Sequence, residues 1–347
     1  MKRNTTSQGR ISSRGAWVGL SAVGIAIAGL TGMGCSSLGK AELRERVLGI
    51  QKNHVIREAG LSEGRLTWAG PQGEEELPFL YLDAKSPNPL AAERRPVVLV
   101  HGTPSTLTSW SRLIYGTNES PGLLAERDVI AIEVVGHGFA PGSTRPRGFD
   151  DCASFVAAAV RALDIGPVHM AGSSYGGEFV WRAAADNPDL IAGMVLMDSS
   201  GYVRRDEDWL SEEIVMRENS LASIGWLLNA RDRVESALAP HFRELPPDVV
   251  EEFFLVCENK QNWKAMIDLV RDENGTRQGD IASIEAPTLL IWGEEDLAYP
   301  PDHYAARFDA DLPNSELLIV PDAGHYPYEE QPAQVIDAMN RFFERVD

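Results

Sequence analysis

Along the chain, short runs of branched aliphatic residues alternate with longer stretches whose apolar residues recur every three or four positions. Residues 96–100 (PVVLV), 129–134 (VIAIEV), 168–171 (VHMA), 194–197 (MVLM), 288–292 (TLLIW) and 317–320 (LLIV) are runs of the first kind. Runs this apolar read as strands buried on both faces. Residues 152–163, 178–185 and 334–343 carry the helical period between them. Such alternation predicts an α/β fold: a mostly parallel sheet covered by helices on both faces. Two further runs, 65–69 and 77–82, are separated by the turn-forming stretch GPQGEE and predict a pair of strands. Residues 41–58 are rich in helix formers and predict a short helix ahead of the sheet.

One interval breaks the rhythm. Between residues 201 and 284 no comparable aliphatic run occurs; the stretch is polar and helix-forming, with Trp209, Trp226 and Trp263 spread through it. It is too long for a plain loop. It predicts a helical cap inserted between two strands, over the strand C-terminal ends where α/β sheets bind ligands. The division is then 1–34 as a targeting segment, 35–59 as tether and N-terminal helix, 60–200 with 285–347 as the α/β core, and 201–284 as the cap.

The first 35 residues stand apart. Lys2, Arg3, Arg10 and Arg14 are the only charges before Lys40, and an apolar run at 16–30 leads to TGMGC ending at Cys35. A basic head, a short apolar run and small residues make an export signal. With Gly34 before Cys35, the segment resembles a bacterial lipoprotein signal, although Gly32 stands where that motif usually has leucine. The resemblance implies lipid on Cys35, a mature chain beginning there, and attachment to a membrane of the bacterial cell envelope. A cleaved secretory signal and an uncleaved single-helix anchor fit the same residues.

Composition narrows the function. The chain has 347 residues, 44% hydrophobic and 24% charged, enough for a large core without disulfide staples. The net charge of −19 argues against nucleic-acid partners, which require a basic surface. Beyond Cys35 only Cys152 and Cys257 remain, read as buried thiols, and no histidine–cysteine spacing suggests a zinc site. No metal or organic cofactor is expected.

The chemistry centres on AGSSYGGEF, residues 171–179. Gly172-Ser173-Ser174-Tyr175-Gly176 fits G-x-S-x-G with Ser174 at its centre, after a predicted strand and before a predicted helix, as that motif requires. The glycines leave room for a tight turn, and the helix that follows points its N–H groups at developing negative charge. Ser173, one residue off, points elsewhere. A serine nucleophile needs a base. Of seven histidines, His325 lies in the turn DAGHYPYEEQP after the last strand. His169 falls within a strand, whereas His54, His241 and His303 lie in helical or surface contexts. The base needs an orienting acid. Asp296 ends IWGEED after the strand 288–292; Glu294 and Glu295 are neighbours, and Asp198 follows 194–197.

HGTP (101–104) with Trp110, GHG (136–138), GSSYGG (172–177), WGEEDLAYP (292–300) and GHYPYEEQP (324–332), in this order, resemble the cap-bearing branch of the α/β-hydrolase family over about residues 60–347. The resemblance implies Ser174 as nucleophile, His325 as base and Asp296 as acid. It also implies an oxyanion hole from the backbone N–H groups of Tyr175 and Thr103, with His101 shaping the loop. Serine at 174, rather than aspartate or glutamate, sets aside dehalogenase and epoxide-hydrolase chemistry. The expected reaction is hydrolysis of a carboxylic ester or related small acyl substrate through an acyl-enzyme. Amide, amino-terminal peptide-bond or carbon–carbon cleavage on the same triad are the alternatives, as is a non-catalytic binding module. Cap acids Glu212 and Glu213 either hold a substrate amine or form a solvated helix face. Leu221, Trp226 and Leu227 are expected to supply an apolar wall.

Overall fold

The computed structural model describes residues 37–70, 73–141 and 148–347; the targeting segment and Cys35 lie outside them. Eight strands form one sheet: β1 (Ser62–Gly70), β2 (Gly73–Ala84), β3 (Val97–Val100), β4 (Val129–Ile132), β5 (Val168–Ser173), β6 (Ile191–Met197), β7 (Thr288–Gly293) and β8 (Ser315–Val320). Their spatial order is β1-β2-β4-β3-β5-β6-β7-β8. β1 pairs antiparallel with β2, with Leu66 opposite Leu77, and β2 pairs antiparallel with β4. All remaining neighbours are parallel.

The aliphatic runs are explained by two cores. Successive side chains of a strand point to opposite faces. Val98 and Val100 of β3 enter one cluster with Met170, Leu196 and Leu290, whereas Val97 and Leu99 enter the other with Ala171, Val195 and Ile291. Every residue of β3, β4, β5 and β7 is therefore buried. β8 departs from that expectation. As the last strand of the sheet it is half open, with Leu317 and Ile319 exposed.

The helices are α1 (Lys40–Leu48), α2 (Phe149–Leu163), α3 (Tyr175–Asp186), α4 (Ser211–Glu218), α5 (Arg231–Leu238), α6 (Pro247–Cys257), α7 (Lys260–Asp272), α8 (Tyr304–Asp311) and α9 (Pro332–Val346), with shorter turns between them. Phe155, Val156 and Val160 of α2 and Phe179 and Val180 of α3 seal the first core, and Val335, Met339 and Phe343 of α9 seal the second. The expected helix over 41–58 is broken. α1 stops at Gly49, a 3₁₀ turn covers Gln51–Asn53, and a separate short helix covers His54–Ala59. Asn53 and Lys52 cause the detour: Asn53 bonds Glu252 of α6 and Ser111, and Lys52 reaches Glu252 and Glu329.

Between β6 and β7 run α4, α5, α6 and α7, with 3₁₀ segments at Asp206–Asp208, Ala222–Leu228, Ala239–His241 and Gln278–Ser283. Cys152 and Cys257 are buried and form no disulfide.

Candidate active site

β5 ends at Ser173 and α3 begins at Tyr175, leaving Ser174 alone at the turn with φ 55° and ψ −127°. A left-handed φ on a non-glycine residue costs roughly 1–3 kcal/mol and persists only where the surroundings hold it. Four backbone bonds do so here: Ser174 N donates to Met197 O (2.9 Å), and Ser174 O accepts from Gly177 N (3.0 Å), Ser200 N (3.3 Å) and Glu178 N (3.4 Å). The glycines are needed for close approach. A Cβ at 172 would collide with the Gly176 carbonyl, and one at 176 would collide with the Val100 carbonyl oxygen. Gly102 brings the HGTP loop against the same turn, since a Cβ there would lie 3.2 Å from Ser174 Cβ. Ser173 is buried away from the cavity described below.

His325 follows β8 and is buried. Its Nδ1 donates to Asp296 Oδ2 at 2.9 Å, and its backbone N–H donates to His241 O at 2.7 Å. Asp296 follows β7, and its Oδ1 accepts from Ala298 N (2.8 Å) and Tyr299 N (3.2 Å). Burial alone would raise the Asp296 pKa; the neighbouring His325 and the two N–H donors outweigh it, and the net shift is downward. Glu294 and Glu295 are exposed, and Glu295 pairs with Arg243 instead.

Asp198, the other acid considered from the sequence, lies beside this pair. Its Oδ1 accepts from Gly293 N at 2.9 Å, and its carboxyl hydrogen-bonds the neighbouring Asp296 carboxylate. Ligand-type atoms of Asp198, Asp296 and His325 all lie within 4.8 Å of one another. Burial and then the Asp296 carboxylate push the Asp198 pKa well above the usual range. Two carboxyls in so dry a place cannot both ionise, so Asp198 keeps its proton and Asp296 the charge. A protonated acid and a histidine nitrogen already bonded to its neighbour make a poor metal-binding set.

Ser174, Tyr175, Thr103 and His325 face one cavity of about 460 Å³. Its lining is mostly apolar, with Met216, Val234, Phe253, Trp263 and Met266 contributed by the cap interval. Leu221 and Leu227, expected in that wall, are absent from it and exposed; the Trp226 side chain lies outside what the structure describes. Glu213 lines the cavity but is neither solvated nor free. It accepts from Arg204 Nη2 (2.8 Å) and from Leu210 N (3.0 Å). Glu212 is exposed at the rim.

His101 bonds its own loop. Nδ1 donates to Gly102 O (2.8 Å) and Nε2 accepts from Val134 N (3.1 Å), while burial brings its pKa down to about 3. His169 is packed in β5, stacked on Phe343 and bonded to Asp347.

Three residues had no signal in the chain. His241 sits in the 3₁₀ turn Ala239–His241, yet it lines the cavity with its ring centroid 5.5 Å from that of His325. Burial, then His325, lower its pKa to about 4. Glu273, just past α7, accepts from Tyr175 OH (2.6 Å) and Tyr299 OH (2.7 Å). Buried Arg204 lies 3.5 Å from Glu273 and over the Tyr299 ring. The network ties cap residues to the neighbours of both Ser174 and Asp296, through contacts far apart in sequence.

The family model described as "Alpha/beta hydrolase family" matches residues 97–338. The chain belongs to the alpha/beta hydrolase family. The family and its hydrolase relatives support a hydrolase. Among its relatives is an uncharacterized hydrolase, YugF, of Bacillus subtilis, 28% identical over 269 residues, covering 72% of this chain and 90% of the relative. Haloalkane dehalogenase 2 of Mycobacterium tuberculosis is 26% identical over 264 residues, covering 70% and 86% respectively. A thermophilic esterase from Thermogutta terrifontis superposes with a TM-score of 0.66 at 22% identity, covering 82% of this chain and 99% of the esterase, which shows the shared fold.

Proposed function

We propose that this hydrolase cleaves carboxylic esters, with Ser174 as nucleophile, His325 as general base and Asp296 as orienting acid. The observation that carries the reading is the cavity. A serine on a strained turn and a histidine bonded through Nδ1 to a charged aspartate open onto the same apolar space. Ser174 Oγ attacks the acyl carbon and gives its proton to His325 Nε2; Asp296 stabilises the resulting imidazolium. The tetrahedral oxyanion lies against the backbone N–H groups of Tyr175 and Thr103, at the N-terminal end of α3. Each such donor contributes about 3 kcal/mol. Collapse expels the alcohol, which takes the proton from His325. Water then attacks the acyl-enzyme with His325 again as base, releasing the acid and restoring Ser174. This sequence uses no cofactor.

An ester fits the site better than a substrate carrying an amine. The cavity is mostly apolar, and Glu213 is committed to Arg204 and Leu210 N–H. A fluorophosphonate probe tests the nucleophile: label on Ser174 supports the reading, and none on the folded chain refutes it. Esters of graded acyl length, with matching amides and carbon–carbon substrates, test the bond cleaved. Faster turnover of either alternative class would displace the ester reading.

The N-terminal segment supports an exported chain attached to the bacterial envelope through lipid on Cys35. Among the described residues no helix is long and apolar enough to cross a membrane. Labelled fatty acid should enter the wild-type chain in a bacterial host and not Cys35→Ala. No label on wild type would sink lipidation.

A further inference from the structure

Between Asn219 and Ala230 the chain carries no charged residue, although 24% of the whole sequence is charged. Within this stretch lies the 3₁₀ helix Ala222–Leu228. A 3₁₀ helix has three residues per turn, so residues three apart stack in one row. The Leu221 carbonyl accepts from Ile224 N at 3.1 Å, which brings Leu221 into the same winding. Two rows of described residues follow. Ala222 and Gly225 face the cavity, and Gly225 lies flat against the Trp263 ring. Leu221, Ile224 and Leu227 face outward, at 57%, 43% and 38% exposed. Nearby on α4, Val215 lines the cavity and is itself 54% exposed, so it stands at the mouth. An uncharged, outward apolar row thus lies beside the opening of an apolar cavity.

The route of the chain says what covers this row. The Leu38 N–H donates to Glu258 O (3.2 Å), and Asn259 Nδ2 donates to Leu38 O (2.7 Å). Asn259 also caps α7. One turn further along α7, Trp263 Nε1 donates to Ala222 O at 2.7 Å, holding the 3₁₀ helix. Leu38 is therefore held at the same helix end that carries the apolar row. Two residues separate Cys35 from Leu38, and the apolar run 16–30 precedes them.

We propose that the row Leu221–Ile224–Leu227 docks on a zwitterionic lipid surface, setting the cavity mouth at the bilayer so that the substrate is an ester drawn from lipid. An interfacial helix binds through buried apolar area, aided by charge only where signs are opposite. The row itself carries no charge to attract anionic lipid, and the chain as a whole has a net charge of −19, which favours the zwitterionic surface. The docking stands independently of catalysis; the lipid-ester substrate rests on the ester-hydrolase reading.

The test uses the full chain with Ser174→Ala, so that no lipid is consumed, and amide hydrogen exchange over residues 219–230. Phosphatidylcholine vesicles should slow exchange there by about tenfold, and phosphatidylglycerol vesicles should do less. Replacing Leu221, Ile224 and Leu227 together by serine should abolish the slowing. In the otherwise wild-type chain the same triple change should leave turnover of a soluble short-chain ester within about twofold, since exposed positions tolerate substitution. It should cut turnover of a vesicle-borne ester by about fivefold. Unchanged exchange in phosphatidylcholine, whether or not the chain floats with the vesicles, overturns the docking. Protection that appears without lipid and grows with protein concentration assigns the row to a second copy and overturns it as well. Protection by vesicles with no ester hydrolysis in any format leaves the docking standing and refutes the ester reading instead.

Discussion

Two aspartates meet at His325, and they should respond to the same mutation in opposite ways. Asp296→Asn replaces a charged acceptor by an amide whose NH₂ faces His325 Nδ1. The histidine then turns to the tautomer that places its proton on Nε2, where it cannot accept one from Ser174. Loss of about 10⁴ in kcat is expected, equivalent to about 5.4 kcal/mol of barrier at 1.36 kcal/mol per decade. Asp198→Asn should be mild. Asp198 is already neutral, so the amide matches its charge, and its oxygen keeps the 2.9 Å bond from Gly293 N. Turnover should stay within about threefold and stability within about 1 kcal/mol near pH 4, the cost of adjusting one hydrogen bond. The pH dependence separates the two acids further. The folded pKa of Asp198 is raised, so the folded state holds a proton that the unfolded chain releases above about pH 4. Wild type therefore loses stability from this group as pH rises from about 4 toward the folded pKa. Asp198→Asn escapes that loss and gains relative to wild type over the same window. Steady-state kinetics on one ester and urea unfolding at pH 4, 6 and 8 measure all of this. Crippled turnover in Asp198→Asn beside mild loss in Asp296→Asn would refute the assignment. A stability difference that does not change with pH would refute the protonated Asp198.

Ser174→Ala should abolish turnover and probe labelling, whereas Ser173→Ala should keep most activity; equal loss in two folded variants would remove the case for Ser174. Gly176→Ala pushes a methyl into the Val100 carbonyl and should cost about 3 kcal/mol or more, as overpacking does, seen as a lowered Tm; an unchanged Tm would mean the turn is not tight. Glu273→Ala should lower kcat more than it raises KM by releasing Tyr175 and Tyr299, and Glu273→Gln, whose oxygen still accepts one hydroxyl while its NH₂ donates to the other hydroxyl's oxygen, should restore most of it. Equal losses in the two variants would point to charge rather than positioning. Phe253→Ala or Met266→Ala should shift the preferred acyl length upward by opening the cavity wall, and an unchanged length profile would place the acyl group elsewhere.

The eight strands and the nucleophile turn were legible in the chain because their causes are local. Residues 96–100 and 194–197 are apolar at every position, as a strand buried on both faces demands. Gly172 and Gly176 mark a turn in which a Cβ would strike backbone. The set Ser174, Asp296 and His325 came from the resemblance of the ordered motifs to the family; each stands after a strand, and parallel strands deliver their ends to one edge of the sheet. What the local pattern misread was decided by neighbours far away in sequence. β8 carries the same aliphatic run as β7 yet is half exposed, because it is the edge strand among the described residues and the face that carries Leu317 and Ile319 is left open. Residues 41–58 have helical composition, but buried bonds from Asn53 and Lys52 to α6 divide them. His241 looked like any histidine in a surface turn until folding set its ring beside His325, and Leu221 and Leu227 looked like cavity wall until the 3₁₀ winding turned them outward. The residues by themselves left the choice between Asp198 and Asp296 open, since both follow strands; the tertiary arrangement puts Nδ1 of His325 on Asp296 and leaves Asp198 too dry to ionise.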